Sequence, residues 1–132
     1  MKTSYFSNPL LSRERHYLVQ ISNSVPKGFI PDAKWNEAIP DWKTTVAPYK
    51  DSIISEEEYR IRYRRQLDLR KDALSRSLAL IQRNAREKEV VLICYETPGS
   101  FCHRHILAQW LKENGIAGDI EEMHNSLTPS LF

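Results

Sequence analysis

Cysteine is scarce in this sequence: Cys94 and Cys102 are the only two among 132 residues. Two cysteines make no disulfide framework, so the chain must be held by a hydrophobic core. Long apolar runs are missing as well, and Met1-Lys2-Thr3-Ser4-Tyr5 opens no signal-like segment, which leads us to expect no membrane span. Charge of one sign is not in excess: 19 basic and 17 acidic residues leave a formal net charge of +2. That balance does not demand a nucleic-acid partner. The expectation is a single soluble α/β domain over residues 1–132, intracellular and cytoplasmic, with its thiols reduced.

Several familiar site motifs are absent too. There is no P-loop and no G-x-G-x-x-G. Cys94 and Cys102 are too far apart for a thioredoxin-like C-x-x-C. A phosphatase or rhodanese loop would place an arginine at the position of Ser100. Neither the H-x-E nor the P-C-x-x-C of a zinc deaminase occurs. Cys94, Glu96, Cys102 and His103 are all metal-ligand types, but their spacing matches no standard finger, so no metal site is assigned and no cofactor is named.

What remains is concentrated between Val90 and His105. Val90-Val91-Leu92-Ile93 is short, β-branched and bounded by charge and turn signals, as a buried strand is. Thr97 to Ser100 reads as a tight loop. Phe101 to Asn114 reads as a helix, with Leu107, Trp110 and Leu111 at helical spacing and Gly115 suited to the C′ position. A strand, a turn and a helix in that order form a ligand site in open α/β sheets, beyond the carboxyl ends of the strands.

Elsewhere, Thr3–Phe6, His16–Ser22 and Gly118–Met123 suit strands. Ser55-Glu56-Glu57-Glu58 is a capping box that starts a helix presenting Tyr59, Tyr63 and Leu67. The pattern resets at Arg70 to Asp72, and Leu74, Leu78, Ile81 and Ala85 form a second helical stripe. Residues 23–52 are irregular, carry Pro26, Pro31, Pro40, Pro48, Trp35 and Trp42, and suit a lid. Helices on either side of the Cys94 strand argue for a small, open, mostly parallel sheet with helical crossovers, Rossmann-like in two or three layers.

The segment Leu92-Ile93-Cys94-Tyr95-Glu96 with Phe101-Cys102-His103-Arg104-His105 and Trp110-Leu111 resembles the signature of domain of unknown function 488, a bacterial and phage family. Thr3-Ser4-Tyr5-Phe6, Ile21-Ser22, Pro26-Lys27-Gly28-Phe29 and Ala47-Pro48 are similar to its upstream pieces, while Asn23-Ser24 departs from its pattern. The resemblance implies a fold and a site location, not a reaction.

Residue types then suggest roles. Cys102, in the first helical turn, is the better nucleophile or ligand, because free N–H groups and the dipole favour a thiolate there. Cys94, at a strand end, suits a small core residue ahead of a site role. Glu96 is a general acid or base, or a salt-bridge partner of Arg104. His103 heads an apolar stripe and suits a hydrogen-bonded structural role beside a catalytic one, whereas His105 points to another face. Arg104 and the helix start form an anion seat. Ser4, Tyr5 and Ser22 would line the same crevice, covered by Lys27 and Trp35.

Three functions follow. The first is an enzyme acting on a small anionic, nucleotide-like or phosphate-containing substrate between Cys94 and Arg104. The second is a thiol redox or metal-binding module. The third is a phage or accessory interaction protein. Nucleic-acid binding by Arg60, Arg62, Arg64, Arg65 and Arg70 is not favoured, because these arginines suit an exposed helix face paired with Glu56, Glu57, Glu58 and Asp68.

Overall fold

The near-continuous apolar run from Val90 to Cys94 is the composition of a strand buried on both faces, and the computed structural model places it in the middle of a parallel sheet. The structure describes residues 1–95 and 101–123. Five strands, β1 (Lys2–Tyr5), β2 (His16–Gln20), β3 (Ala33–Lys34), β4 (Glu89–Cys94) and β5 (Glu121–Glu122), lie in the order β3-β2-β4-β1-β5. Every pairing is parallel. The helices are α1 (Ala47–Lys50), α2 (Glu56–Leu69), α3 (Lys71–Ala85) and α4 (His103–Glu113). The α/β expectation holds, with the last strand shortened to Glu121–Glu122.

Strand alternation decides how many layers form. Val90, Leu92 and Cys94 point to one side, with Val19 and Ile21 beside them. Onto this side pack Tyr59, Tyr63 and Leu67 of α2, Leu74, Leu78, Ile81 and Ala85 of α3, and Ile106, Leu107, Trp110 and Leu111 of α4. Leu18, Val91 and Ile93 point the other way and, among the described residues, pack against Phe6, Leu11 and Phe29 of connecting segments. Among the described residues the helical layer is therefore one-sided, which is the two-layer arrangement of the two expected. The β1-to-β2 connection accordingly contains no helix.

Local chemistry explains the helix ends. The Ser55 hydroxyl accepts from the Glu58 amide (3.0 Å), and Glu56, Glu57 and Glu58 stand against the positive end of the α2 dipole. Arg70 leaves helical geometry and separates α2 from α3. Gly115 follows α4 at φ +65°, a conformation that glycine adopts without Cβ strain.

The irregular segment is more ordered than its composition suggests. It contains β3, a 3-10 turn at Asn36–Ala38, a wide helical turn at Trp42–Val46 and α1. Trp35 is no part of a cover. It is buried in the core and donates from Nε1 to Ser77 Oγ (2.6 Å). The arginines of α2 behave as a solvated face: Arg60 and Arg62 pair with Glu56 and Glu58 one turn back, and Arg64 pairs with Glu113. Asp68, expected among their partners, instead accepts from Trp110 Nε1 (2.7 Å). No helix among the described residues is long and apolar enough to cross a membrane.

Candidate functional site

The carboxyl ends of β1, β2 and β4 converge on the start of α4. Pairing continues beyond the strands, since Ile21 N donates to Ile93 O and Phe6 N donates to Cys94 O, both at 3.1 Å. Cys94 ends β4, and Cys102 is the N-cap of α4 in extended conformation. The helix thus starts two residues later than its periodicity suggests, at His103. The two cysteines are buried and their sulfurs are brought together as a pair. Cys94 and Cys102 thus share one site, as the redox-pair and metal-ligand readings of the two thiols both require. Two cysteines cannot build a framework, yet a strand end and the following helix start can bring one pair together.

Arg104 lies behind that pair rather than in an open seat. Its side chain is fully buried, and its guanidinium grips the Glu122 carboxylate with both arms, Nε to Oε1 at 3.0 Å and Nη2 to Oε2 at 2.9 Å. Its third nitrogen, Nη1, donates to Cys94 Sγ at 3.1 Å. The Thr3 hydroxyl also donates to Glu122 Oε1 (2.6 Å). A buried guanidinium requires a charged partner, and β5 supplies one beside β1. Among the described residues the arginine is therefore engaged by the Glu122 carboxylate and the Cys94 sulfur.

His103 is buried and meets the Tyr63 ring at right angles, with centroids 5.8 Å apart. Its Nε2 bonds to the Ile21 carbonyl, which can only accept, so the proton lies on Nε2. Burial lowers its pKa from 6.5 to about 4, and the Arg104 and His105 charges act the same way against that hydrogen bond. His103 is thus a neutral imidazole near pH 7. His105 is exposed on another face.

A cleft of about 160 Å³ opens beside Cys102. Cys102, His103 and Ser22 belong to its wall, together with Trp42, Tyr49, Lys50, Tyr59, Tyr95 and Phe101. Tyr49, Tyr59 and Phe101 pack mutually at 5.0–5.3 Å between ring centroids. Trp42 remains about half exposed, at 48%. The wall is aromatic with a few polar groups, and Lys50 is its cation among the described residues.

Cys94, Cys102, His103, Arg104 and Ser22 are thus brought to one end of the sheet. Ser4 and Tyr5 are buried beside β4 in register with Ile93 and Cys94, with Ser4 Oγ accepting from Asn8 Nδ2 (3.0 Å), and neither lines the cleft. Lys27 is exposed and lies outside the wall. Glu96 and the loop through Ser100 lie outside the described residues. The sequence reading missed Glu122, Lys50, Tyr49 and Phe101 as site residues. Only the acidic pair at the end of the last strand hinted at a partner for Arg104.

An α/β domain with a cysteine pair between a strand end and a helix start, backed by a buried arginine, is the class of protein that fold and site define. Residues 14–115 match DUF488-N3a, the active DUF488-N3 subclade. The chain belongs to the domain of unknown function 488 family. No curated protein and no solved structure matches it.

Proposed function

We propose that the protein is a thiol-dependent enzyme in which Cys102 and Cys94 cycle between disulfide and dithiol while a small substrate occupies the aromatic cleft. One observation carries this reading: the pair is asymmetric. Cys102 belongs to the cleft wall, and Cys94 faces a guanidinium 3.1 Å away.

The asymmetry assigns the two sulfurs different work. An incoming thiolate RS⁻ reaches Cys102 Sγ from the cleft and forms a Cys102–S–S–R bond. The Cys94–Cys102 bond breaks, and its electron pair leaves on Cys94, where the Arg104 charge receives it. A second thiolate then attacks the R sulfur and forms RSSR, with Cys102 leaving as thiolate at the α4 N-terminus. Two thiols are oxidised and one protein disulfide is reduced. A small disulfide entering the cleft reverses the sequence.

The anionic substrate expected from the sequence needs a different counter-ion, because Arg104 is held by Glu122. Lys50 takes that role, with the Tyr49, Tyr59 and Phe101 rings as surfaces for a flat, nucleotide-like body.

Trapping tests the reading. Cys94→Ser retains the attacked sulfur and loses the leaving one. Treated with a small disulfide, it should hold a stable mixed disulfide on Cys102, read by intact mass and peptide mapping. Cys102→Ser should react far more slowly at Cys94. Equal labelling of the two variants, or no labelling of Cys94→Ser, sinks the proposal.

A further inference from the structure

We infer that the reduced protein binds one zinc ion through Cys94, Cys102 and His103, with its fourth coordination position facing the cleft. The inference uses the same cysteine pair as the proposed exchange but does not require that exchange to turn over.

Three observations carry it. A ligand-type atom from each of these residues lies within 4.8 Å of the other two, and all three residues are buried. Zinc sits about 2.3 Å from sulfur and about 2.0 Å from nitrogen in tetrahedral sites, which separates ligand atoms by between about 3 and 4 Å. Reduction moves the sulfurs apart from bonding distance towards that separation. The second observation is the His103 hydrogen bond. Its Nε2–H is given to the Ile21 carbonyl, so the ring lone pair lies on Nδ1. Metal-bound histidines are usually oriented in this way, by a backbone carbonyl on the other ring nitrogen.

The third observation is the surrounding charge. Two thiolates neutralise Zn²⁺, and the nearby Arg104 charge is matched by Glu122. Arg104 Nη1–H also donates to the Cys94 sulfur, as an outer group does to a metal-bound thiolate. Cys₂His is a three-ligand set, which is the composition of catalytic rather than structural zinc. Two of its members, Cys102 and His103, belong to the cleft wall, so a water or a substrate atom can complete the coordination.

The test uses the full chain, reduced with a phosphine and stripped with chelator. Zn²⁺ alone is added and counted by native mass spectrometry. Co²⁺ is then added to a second sample and its absorption recorded. The expected result is one ion per chain, with a near-ultraviolet thiolate-to-cobalt band and strong visible bands of tetrahedral cobalt. Cys102→Ser and His103→Gln should each weaken binding about ten-fold or more. Circular dichroism confirms that each variant is folded. If His103→Gln fails to fold, Cys102→Ser and the cobalt spectrum still decide.

No uptake by the reduced wild type, cobalt bound without the thiolate band, or unchanged affinity in Cys102→Ser overturns the inference. Absent uptake with intact mixed-disulfide trapping removes the zinc site alone. Zinc uptake with no trapping removes the exchange reaction alone.

Discussion

The Arg104–Glu122 pair makes an asymmetric prediction. Arg104 has no exposed side-chain surface, whereas Glu122 keeps 20%. Glu122→Gln leaves a guanidinium that cannot reach water, and breaking a buried pair from that side costs about 3–5 kcal/mol. Arg104→Met leaves a carboxylate that can turn towards solvent and keeps the Thr3 hydroxyl as donor. Methionine also fills the arginine stem's space, so we expect a smaller cost of about 1–3 kcal/mol. The difference between the single variants should be about 2 kcal/mol. Arg104→Met combined with Glu122→Leu should recover most of the loss, since removing both charges together leaves neither stranded. Urea unfolding followed by tryptophan fluorescence, in reductant so that the disulfide plays no part, gives all four stabilities. The reasoning is refuted if Glu122→Gln lies within about 1 kcal/mol of wild type, or if Arg104→Met is the costlier change.

Other expectations follow from neighbouring groups. Because the folded pKa of His103, about 4, lies below the ordinary 6.5, the unfolded chain binds more protons between those values. That stability is complete above pH 6.5 and falls as pH drops towards 4, by up to about 3 kcal/mol. A pH series of urea midpoints should show this slope, and His103→Gln should flatten it. Reducing the disulfide, which closes a short loop, should lower stability by about 2–3 kcal/mol in paired urea melts with and without reductant. Arg104→Met should also slow release of Cys94 by small thiols about ten-fold, the effect of about 1.4 kcal/mol of lost thiolate stabilisation, measured by stopped-flow thiol assay. Tyr63→Phe removes the donor to the buried Ala38 carbonyl and should cost about 1–2 kcal/mol in the same melts.

The elements legible in the sequence were those with their own periodicity or cap. Val90 to Cys94 announced the central strand, Ser55 the start of α2, and the stripe from Leu74 to Ala85 the length of α3. β3 was not legible, because two residues carry no alternation and the strand exists through its pairing with β2. The one-sided helical layer was equally hidden, since it depends on how Phe6, Leu11 and Phe29 cover the opposite face.

At the site, local sequence gathered Cys94, Cys102, His103 and Arg104 because they flank one turn. It could not show that Arg104 is turned inward, since Glu122 arrives from a strand formed after α4. The cleft wall was hidden for the same reason. Tyr49, Tyr59 and Phe101 come from α1, α2 and the approach to α4, and only the folded chain brings their rings together.

The most direct test of the central claim is a redox titration of the wild-type protein in small thiol–disulfide buffers, each sample quenched by alkylation and weighed intact. The account predicts one two-electron transition, from a chain with both cysteines alkylated to one with neither, and a mixed disulfide at Cys102 between them. Two cysteines that remain alkylatable in oxidising buffer, or that become blocked independently of one another, would contradict it.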